Sequence, residues 1–426
     1  MYTIIVAHNY GMRFFKSLNK LQTALLLPFI ICSVCIAAAE ILQLISINIS
    51  SGAQDILNGF SQVLYTLLGY VLCYFATLRL TGGKHAFKAF WSVLCLVMLN
   101  TAVSSFYGDG TLYIFGIVTA LFCSFCFNRF DKILSMSVTM VCSILFGILI
   151  GFLVDYWTDL VMRLSELISG KSYFSPVLFT VFDNIFSLFG IDTLKEMIFY
   201  KSYGGSVVYG GEIVTGVKDL FASGYAGELV SSYLSGHYFL LFALLGISIS
   251  LFTNLKGMQR YVLAAVTVCA LVSGNINILL LFLFLESPFL FIAVLLIGAA
   301  AYLTAYILEL GMGYVLNGGI VEMIVYADKI VYLLAGGVVF VAIGYFVYKF
   351  IYEKHGITDS FNAYIPTRLN SFVSALGGIS NIIRFKNDGL EVRNPKLIDT
   401  VSLDCEIKEN FVTTKDKRMI ELKEYL

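Results

Sequence analysis

The stretch Gly274–Phe291, GNINILLLFLFLESPFLF, combines a long apolar run with polar breaks at both ends. It opens with the amides Asn275 and Asn277 and is interrupted again at Glu286-Ser287-Pro288. Amides and carboxylates are costly in lipid unless they line a cavity or pair inside a helical bundle. The pattern therefore predicts a polar site on an interrupted or re-entrant membrane segment. An ordinary spanning helix that tolerates these polar residues is the alternative.

The composition of the whole chain supports a membrane location. Of its 426 residues, 58% are hydrophobic and 13% are charged, and the mean hydropathy is +0.84. These values exclude a soluble globular protein, and several apolar runs have the ~20 residues that a hydrocarbon core of ~30 Å requires. The formal net charge of +0 provides no field that would recruit nucleic acid. Residues 1–19 have no cleavable signal pattern, so the first apolar run is interpreted as a retained membrane helix.

Basic residues are concentrated in every second loop. The segments without lysine or arginine are 46–55 and 107–110, and the basic segments are Arg13–Lys20, Arg79–Lys88, Arg129–Lys132 and Lys256–Arg260. By the positive-inside rule this alternation predicts that both termini are cytoplasmic. The amphipathic stretch Asp159–Lys171 is predicted to form a separate interfacial helix.

The nine cysteines do not indicate a metal or redox site. Eight of them lie inside apolar runs, and no histidine or second CxxC accompanies the spacings Cys32/Cys35 and Cys123/Cys126. Buried thiols that pack as small hydrophobes are therefore expected. The sequence predicts no cofactor and no metal ligand, and it assigns no catalytic residue.

Four segments resemble the membrane subunit, enzyme IIC, of the glucose superfamily of bacterial phosphotransferase system (PTS) sugar transporters. Gly274–Phe291 resembles the family signature G-I-T-E-P-I-E-F-S-F-x-F-V-A-P-x-L-Y, with Asn277 at the position of the sugar-binding glutamate. FGIDTLKEM at 189–197 places Asp192 at the first of two family histidines, and the segments GEIVTGVKDLFASG at 211–224 and LSGHYF at 234–239 follow. Weaker matches are LNKLQTALLLP at 18–28 and LNGGIVEM at 316–323, where Glu322 takes an acidic position.

The tail is similar to the fused enzyme IIB domain of that family. SFVSALGGIS at 371–380 matches the start of the domain, and Asp388 stands where the family has its phosphorylated cysteine. Cys405 lies 17 residues further on. The resemblance thus implies a membrane domain at 1–354, a linker at 355–370 and a degenerate enzyme IIB-like segment at 371–426.

The implied fold is an all-α polytopic membrane protein with about ten transmembrane or re-entrant helices and a small α+β cytoplasmic tail. The implied function is a PTS sugar permease subunit of the glucose/maltose/N-acetylglucosamine class in the bacterial plasma membrane. Its phosphotransfer chemistry is left open, because the phosphocysteine and the sugar-binding glutamate are both replaced. The alternative is a non-phosphorylating paralogue that acts as a sensor, regulator or facilitator.

The expected site and partners complete this hypothesis. Amide and carboxylate groups suit the hydroxyl groups of a sugar. The predicted sugar-binding residues are Asn277, Asn275, Gly274, His237 and Asp192, with Glu286 as a further polar candidate. The implied partners are the sugar, enzyme IIA and IIB proteins acting in trans, membrane lipid and a second copy in a homodimer; nucleic acid is not expected.

Overall fold

A computed structural model describes most of the chain. The residues outside the description are 1, 48, 50, 83–84, 108–112, 170–172, 202, 204, 226, 228–229, 256, 311, 315, 327–329, 356–368, 378–380, 387–388, 393, 396–397, 401–402, 404, 415, 417, 420–421 and 423–426. The chain divides into two compact units. The larger unit comprises Ala24–Thr253 and Gly257–Tyr348, and the smaller comprises Met1–Thr23, Asn254–Lys256 and Lys349–Leu426.

Helices account for almost all of the regular structure up to residue 355. In chain order the described helices are α1 Tyr2–Ser46, α2 Ser51–Leu80, α3 Ala86–Tyr107, α4 Tyr113–Arg129, α5 Lys132–Ile168, α6 Phe174–Leu188, α7 Thr193–Tyr200, α8 Val217–Ala222, α9 Gly236–Asn254, α10 Gly257–Ser273, α11 Asn277–Glu286, α12 Pro288–Leu308, α13 Ile320–Tyr326 and α14 Ile330–His355. A π-helical turn, Ser231–Ser235, leads directly into α9.

The predicted all-α polytopic architecture is confirmed. Within the described residues, seven helices are long and apolar enough to cross a membrane, and four shorter apolar helices accompany them. Large apolar side chains such as Ile133 and Phe152 on α5 and Val338 on α14 are exposed. Exposed apolar surface of this kind is expected where a helix contacts lipid rather than water. The protein is therefore membrane-embedded.

The stretch Gly274–Phe291 is an interrupted segment, not a continuous spanning helix. Gly274, Asn275 and Ile276 separate α10 from α11, and Ser287 has an extended backbone (φ −161°, ψ 122°) before Pro288 opens α12. Helix α11 has 10 residues, which at 1.5 Å per residue gives about 15 Å, half of a hydrocarbon core. Proline at the first position of α12 costs nothing, because that N–H has no partner inside a helix.

Helix α5 is longer than the sequence predicts. The prediction of a separate interfacial helix at Asp159–Lys171 is wrong for residues 159–168, because α5 runs unbroken from Lys132 to Ile168. Its 37 residues correspond to about 55 Å, well beyond the thickness of a hydrocarbon core. Polar residues near the end of α5 therefore extend the helix past the apolar layer instead of starting a new one.

Close helix contacts in the larger unit depend on small residues. Gly116 of α4 lies against the backbone carbonyl of Gly69 on α2, and Gly147 of α5 lies against Leu99 and Ala102 on α3. An added Cβ would collide with these atoms. Small residues allow membrane helices to pack backbone to backbone.

The long polar segment after α6 is locally ordered. Helix α7 is followed by an antiparallel hairpin of β1 Ser206–Tyr209 and β2 Glu212–Thr215, and then by α8. The turn residues Gly210 and Gly211 both have positive φ (64° and 91°), a conformation that two-residue hairpin turns require and glycine adopts without strain.

The smaller unit contains the predicted α+β tail. Helix α15 Asn370–Ala375 accompanies four strands, β3 Ile382–Lys386, β4 Gly389–Val392, β5 Cys405–Lys408 and β6 Phe411–Thr414. They form one antiparallel sheet in the order β3-β4-β6-β5. Phe372, Leu376, Leu390 and Val412 belong to its buried core. The tail thus buries an apolar cluster of its own, and the domain boundaries at 354 and 370 stay a prediction.

Candidate functional site: a polar cavity in the larger unit

All five predicted site residues line one cavity. Its volume is about 290 Å³, and its wall includes Asp192, His237, Gly274, Asn275 and Asn277. These residues come from three separate parts of the sequence, so the fold brings together what the motifs only suggested. Glu286 is fully buried at the end of α11 and is not among the lining residues.

The Gly274–Asn277 turn has a conformation that its residues favour. Gly274 has φ +75°, and an added Cβ would collide with the backbone of residues 317–319. The Asn275 side-chain oxygen accepts the backbone N–H of Asn277 at 3.1 Å, which is the local turn that asparagine commonly makes. This bond opens α11 and leaves both asparagines half-buried at the cavity.

Asp192 is positioned by the end of α6. The N–H of Gly190 bonds to the Ser187 carbonyl and that of Ile191 bonds to the Phe186 carbonyl, both at 3.0 Å. With Gly190 at φ +74°, this is the glycine-dependent helix ending known as the Schellman motif. Helix α7 begins immediately afterwards, so the chain reverses and places exposed Asp192 at the wall of the cavity.

His237 has a defined orientation on the first turn of α9. Its ring is buried, and Nε2 lies 2.9 Å from the Gly274 carbonyl oxygen. A carbonyl can only accept a hydrogen bond, so Nε2 carries the hydrogen. The ring also packs against Tyr314, with centroids 5.4 Å apart. The histidine thereby holds the Gly274 turn and the aromatic wall together.

Glu322 holds the loop between α12 and α13. Its carboxylate accepts three consecutive backbone N–H groups, from Leu316 at 2.7 Å, Asn317 at 3.0 Å and Gly318 at 2.6 Å. The side chain is 4% exposed. These three bonds satisfy both carboxylate oxygens, which is needed because a buried acceptor without a donor costs free energy. The acidic position in LNGGIVEM is thus occupied by a residue that shapes the loop.

Asn317 connects a carboxylate and an ammonium group that the motifs did not reveal. Its amide nitrogen donates to the Glu40 carboxylate on α1, which also accepts the Tyr65 hydroxyl from α2. Its amide oxygen accepts the Lys195 ammonium at 2.9 Å. Glu40, Lys195 and Asn317 all line the 290 Å³ cavity. The sequence signal for Glu40 was available, since it is an acidic residue inside the first apolar run.

Two adjacent polar residues of α6 also line the cavity. They are Asp183 and Asn184, which in the sequence stand out only as polar interruptions of a short apolar helix. The Asn184 amide donates to the Thr180 hydroxyl at 3.1 Å. Among the described residues, no hydrogen-bond partner reaches the buried Oδ1 of Asp183 or the buried Oε2 of Glu40.

Lys218 lies behind the same loop. Its ammonium donates to the Tyr200 hydroxyl at 3.0 Å and to the Leu316 carbonyl, and it faces the rings of Tyr200 and Phe199 at 5.2 and 5.5 Å. Burial, with a contribution from the nearby Lys195 ammonium, lowers the pKa of Lys218 to about 7. The lysine therefore supports the loop on the side away from the cavity wall.

A second cavity adjoins the first. It has a volume of about 590 Å³ and is lined mainly by α2 and α3, including Gln62, Thr66 and Asn100. The two cavities share four lining residues, which are Tyr65, Asp192, Asn275 and Asn277. Three of the five predicted site residues, Asp192, Asn275 and Asn277, thus line both the small polar cavity and the larger one with mixed walls.

The cysteines and the tail add no further site to the described part of the chain. All nine cysteines are free thiols, and among the described residues no cluster of three or more His, Cys, Asp or Glu side chains could hold a metal ion. Cys405 begins strand β5 and is partly buried. Asp388 lies outside the described residues.

Comparison with known proteins finds a distant similarity to a PTS protein. No family model matches the chain. The chain is 21% identical over 267 residues to the PTS system glucoside-specific EIICBA component of Staphylococcus carnosus (strain TM300). The alignment covers 56% of this chain and 39% of that protein. At the family level, this similarity supports the resemblance to the glucose-family enzyme IIC proteins of the PTS.

The chain spans well under half the length of the curated protein that it matches. The relationship and the apolar helices together confirm the family resemblance and the membrane class.

Proposed function

We propose that this chain is the sugar-translocating subunit of a PTS-type permease and binds its sugar in the 290 Å³ cavity. The observation that carries the proposal is the convergence of Asp192, His237 and the Gly274–Asn277 turn on one polar cavity. A volume of about 290 Å³ is close to the lower end of the ~300–1,000 Å³ range of small-molecule sites, which favours a monosaccharide unit. The glucose/maltose/N-acetylglucosamine class is the part of the proposal that rests on resemblance alone.

The chemistry of the wall fits a polyhydroxylated ligand. Asn275 and Asn277 each offer an amide that can donate and accept, and the Nδ1 atom of His237 is an acceptor once Nε2 carries the hydrogen. Tyr302 and Tyr314 add aromatic surface to the cavity. In this proposal Asn277 replaces the charged sugar contact of the family with a neutral one, and the short helix α11 carries it at the depth of the membrane.

The test is direct binding followed by uptake. Purified protein in detergent is titrated with radiolabelled glucose, maltose and N-acetylglucosamine by equilibrium dialysis, and the same protein is reconstituted into liposomes for uptake. We expect saturable binding of one member of this class and uptake above that of protein-free liposomes. Absence of saturable binding for every sugar in a correctly folded sample would reject the proposal.

A non-phosphorylating facilitator or sensor is the second candidate. Asn277 at the glutamate position and Asp388 at the phosphocysteine position favour it. The two candidates differ in the form of the accumulated sugar. The facilitator is supported if the sugar inside the liposomes is free sugar. It should remain free sugar when enzyme IIA, a complete enzyme IIB and a phosphoenolpyruvate-driven donor are added. Sugar phosphate that appears only with added enzyme IIB supports a permease that is phosphorylated in trans.

The orientation and the oligomeric state are further parts of the proposal. The basic loops favour a cytoplasmic location for both termini. In that topology single cysteines introduced at Ser51 and Gly108 should react with an impermeant maleimide added outside intact cells. Labelling of either position only after permeabilisation would reject this topology. A homodimer is implied by resemblance, and light scattering of the purified protein, corrected for detergent, measures it.

A further inference from the structure

Asn317 lies in the cavity wall on a loop that packs against the Gly274 turn. The loop approaches this turn so closely that a Cβ on Gly319 would collide with the Val272 carbonyl oxygen and with the Gly274 backbone nitrogen. Asn317 itself is only half-buried, and it lines the 290 Å³ cavity. A ligand in the cavity can therefore reach this residue.

The amide of Asn317 has one chemically defined orientation. Its oxygen accepts the Lys195 ammonium at 2.9 Å, and its nitrogen donates to the Glu40 carboxylate. An ammonium group can only donate, so the amide oxygen must face Lys195 and the NH₂ group must face Glu40. The two partners are 122 and 277 positions away in the sequence. The orientation is thus set by the fold and not by the loop alone.

The backbone that carries Asn317 is also held in place. Glu322 accepts the backbone N–H groups of residues 316, 317 and 318. The Lys218 ammonium donates to the Leu316 carbonyl oxygen from α8. A group that is ordered before the ligand arrives loses less conformational entropy on binding. Asn317 is therefore preorganised at the cavity wall.

The Asn317 amide has hydrogen-bonding capacity to spare. An amide offers two donor hydrogens and two acceptor lone pairs. Glu40 and Lys195 use one of each, and within the described part of the chain the side chain makes no other hydrogen bond. One N–H and one lone pair remain. A sugar hydroxyl complements such a pair, because it can both donate and accept.

From these contacts we infer that Asn317 is a further sugar-contacting residue, whose fixed amide bonds to ligand hydroxyl groups and discriminates between sugars that differ at those hydroxyls. The inference rests on the proposed function, because it adds a contact to the same site.

The test removes the contact once from the ligand and once from the protein. The full chain, purified in detergent, is titrated by equilibrium dialysis with glucose and with its 2-deoxy, 3-deoxy, 4-deoxy and 6-deoxy derivatives. The corresponding deoxy series of maltose or N-acetylglucosamine is used if that sugar binds instead. A hydrogen bond between neutral groups corresponds to roughly a 2- to 10-fold change in affinity.

The expected result is a loss of discrimination at the contacted hydroxyl alone. In the wild type at least one deoxy derivative should bind about 2- to 10-fold more weakly than the parent sugar. In Asn317→Ala the parent sugar and that derivative should bind equally, while the effects of removing the other hydroxyls stay as in the wild type. A residue with a merely structural role would instead weaken the whole series by one common factor.

Two further variants complete the test. Asn100→Ala is the matched control, because Asn100 is a half-buried amide that lines the 590 Å³ cavity but not the 290 Å³ cavity. Its pattern across the deoxy series should match that of the wild type. Asn317→Ser, whose side chain is too short to replace the amide, should behave as Asn317→Ala does. Thermal unfolding of each variant shows whether it is folded, and the second variant keeps the test valid if the first is not.

The outcomes separate the inference from the function on which it rests. The inference is overturned, and the permease proposal stands, if the Asn317 variants bind the series as the wild type does or weaken every member equally. It is also overturned if the wild type does not discriminate within the series, or if Asn100→Ala loses the same discrimination. If the wild type binds no sugar, both the inference and the permease proposal are rejected.

Discussion

Substitution of Glu322 by glutamine should loosen the loop that holds Asn317 and weaken ligand binding at a distance. The carboxylate accepts three backbone N–H groups, two at Oε2 (from Asn317 at 3.0 Å and Gly318 at 2.6 Å) and one at Oε1 (from Leu316 at 2.7 Å). Glutamine has a single acceptor oxygen. In its better orientation it keeps the two bonds of Oε2 and turns its NH₂ group towards the Leu316 N–H.

The magnitude follows from this geometry. One charge-assisted bond is lost and two become neutral, which amounts to about 3–6 kcal/mol if a charged bond contributes roughly 1.5–3 kcal/mol and a neutral one about half as much. Since Asn317 bridges Glu40 and Lys195, the affinity for the sugar should fall as well. The measurements are the midpoint of thermal unfolding in detergent and the Kd from equilibrium dialysis.

Glu309→Gln is the control, because Glu309 is an exposed carboxylate at the end of α12 in the same unit. It should unfold and bind as the wild type does. If Glu322→Gln matched Glu309→Gln in both measurements, the three N–H contacts would not stabilise the loop, and Glu322 would not position Asn317.

Three further predictions concern the site, the tail and pH. Asn277→Ala should weaken sugar binding about 5- to 150-fold, because it leaves polar partners unpaired, whereas Glu286→Gln should not; equal affinities in dialysis would contradict the site. The chain should remain unlabelled by radioactive phosphoenolpyruvate and the soluble PTS proteins without enzyme IIB, since Asp388 replaces the thiolate; label that is lost in Cys405→Ser would contradict this alignment. Burial lowers the pKa of Lys218 from 10.5 to about 7 in the folded state. The unfolded state therefore binds more protons between these pH values, and the free energy of unfolding should rise with pH across that window. If a Lys218→Met variant showed the same pH dependence of the free energy of chemical unfolding as the wild type, this prediction would be refuted.

Much of the fold was predictable because it depends on length and polarity along the chain. Apolar runs of sufficient length predicted the spanning helices, and the polar breaks of Gly274–Phe291 predicted an interrupted segment that the structure confirms. Where prediction failed, a local pattern was outweighed by helix continuity. The amphipathic stretch Asp159–Lys171 looked like a separate interfacial helix. However, each added residue of α5 gains a backbone hydrogen bond, and the helix continues to Ile168.

The site was predictable only in part. Asp192, His237 and Asn277 could be selected because each stands inside a recognisable motif, and the cavity brings them together. Four other residues that line the cavity could not be assigned to this site from the sequence: Glu40, Asp183, Lys195 and Asn317. The hydrogen bond between Glu40 and Asn317, for example, joins residues that are 277 positions apart. No periodicity or spacing encodes such a separation.

The sequence by itself determined that this chain is a helical membrane protein with an interrupted segment, because burial in lipid requires long apolar runs and makes each polar residue within them stand out. Only the tertiary structure decided which of these polar residues lie close together. It showed that Glu286 is buried and does not line the cavity. It also showed that the Glu322 carboxylate accepts hydrogen bonds from three backbone N–H groups. It also showed that Glu40 and Asp183 face the same space. Hydrogen bonds and charges act over a few ångströms, so their partners are fixed by packing and not by order along the chain.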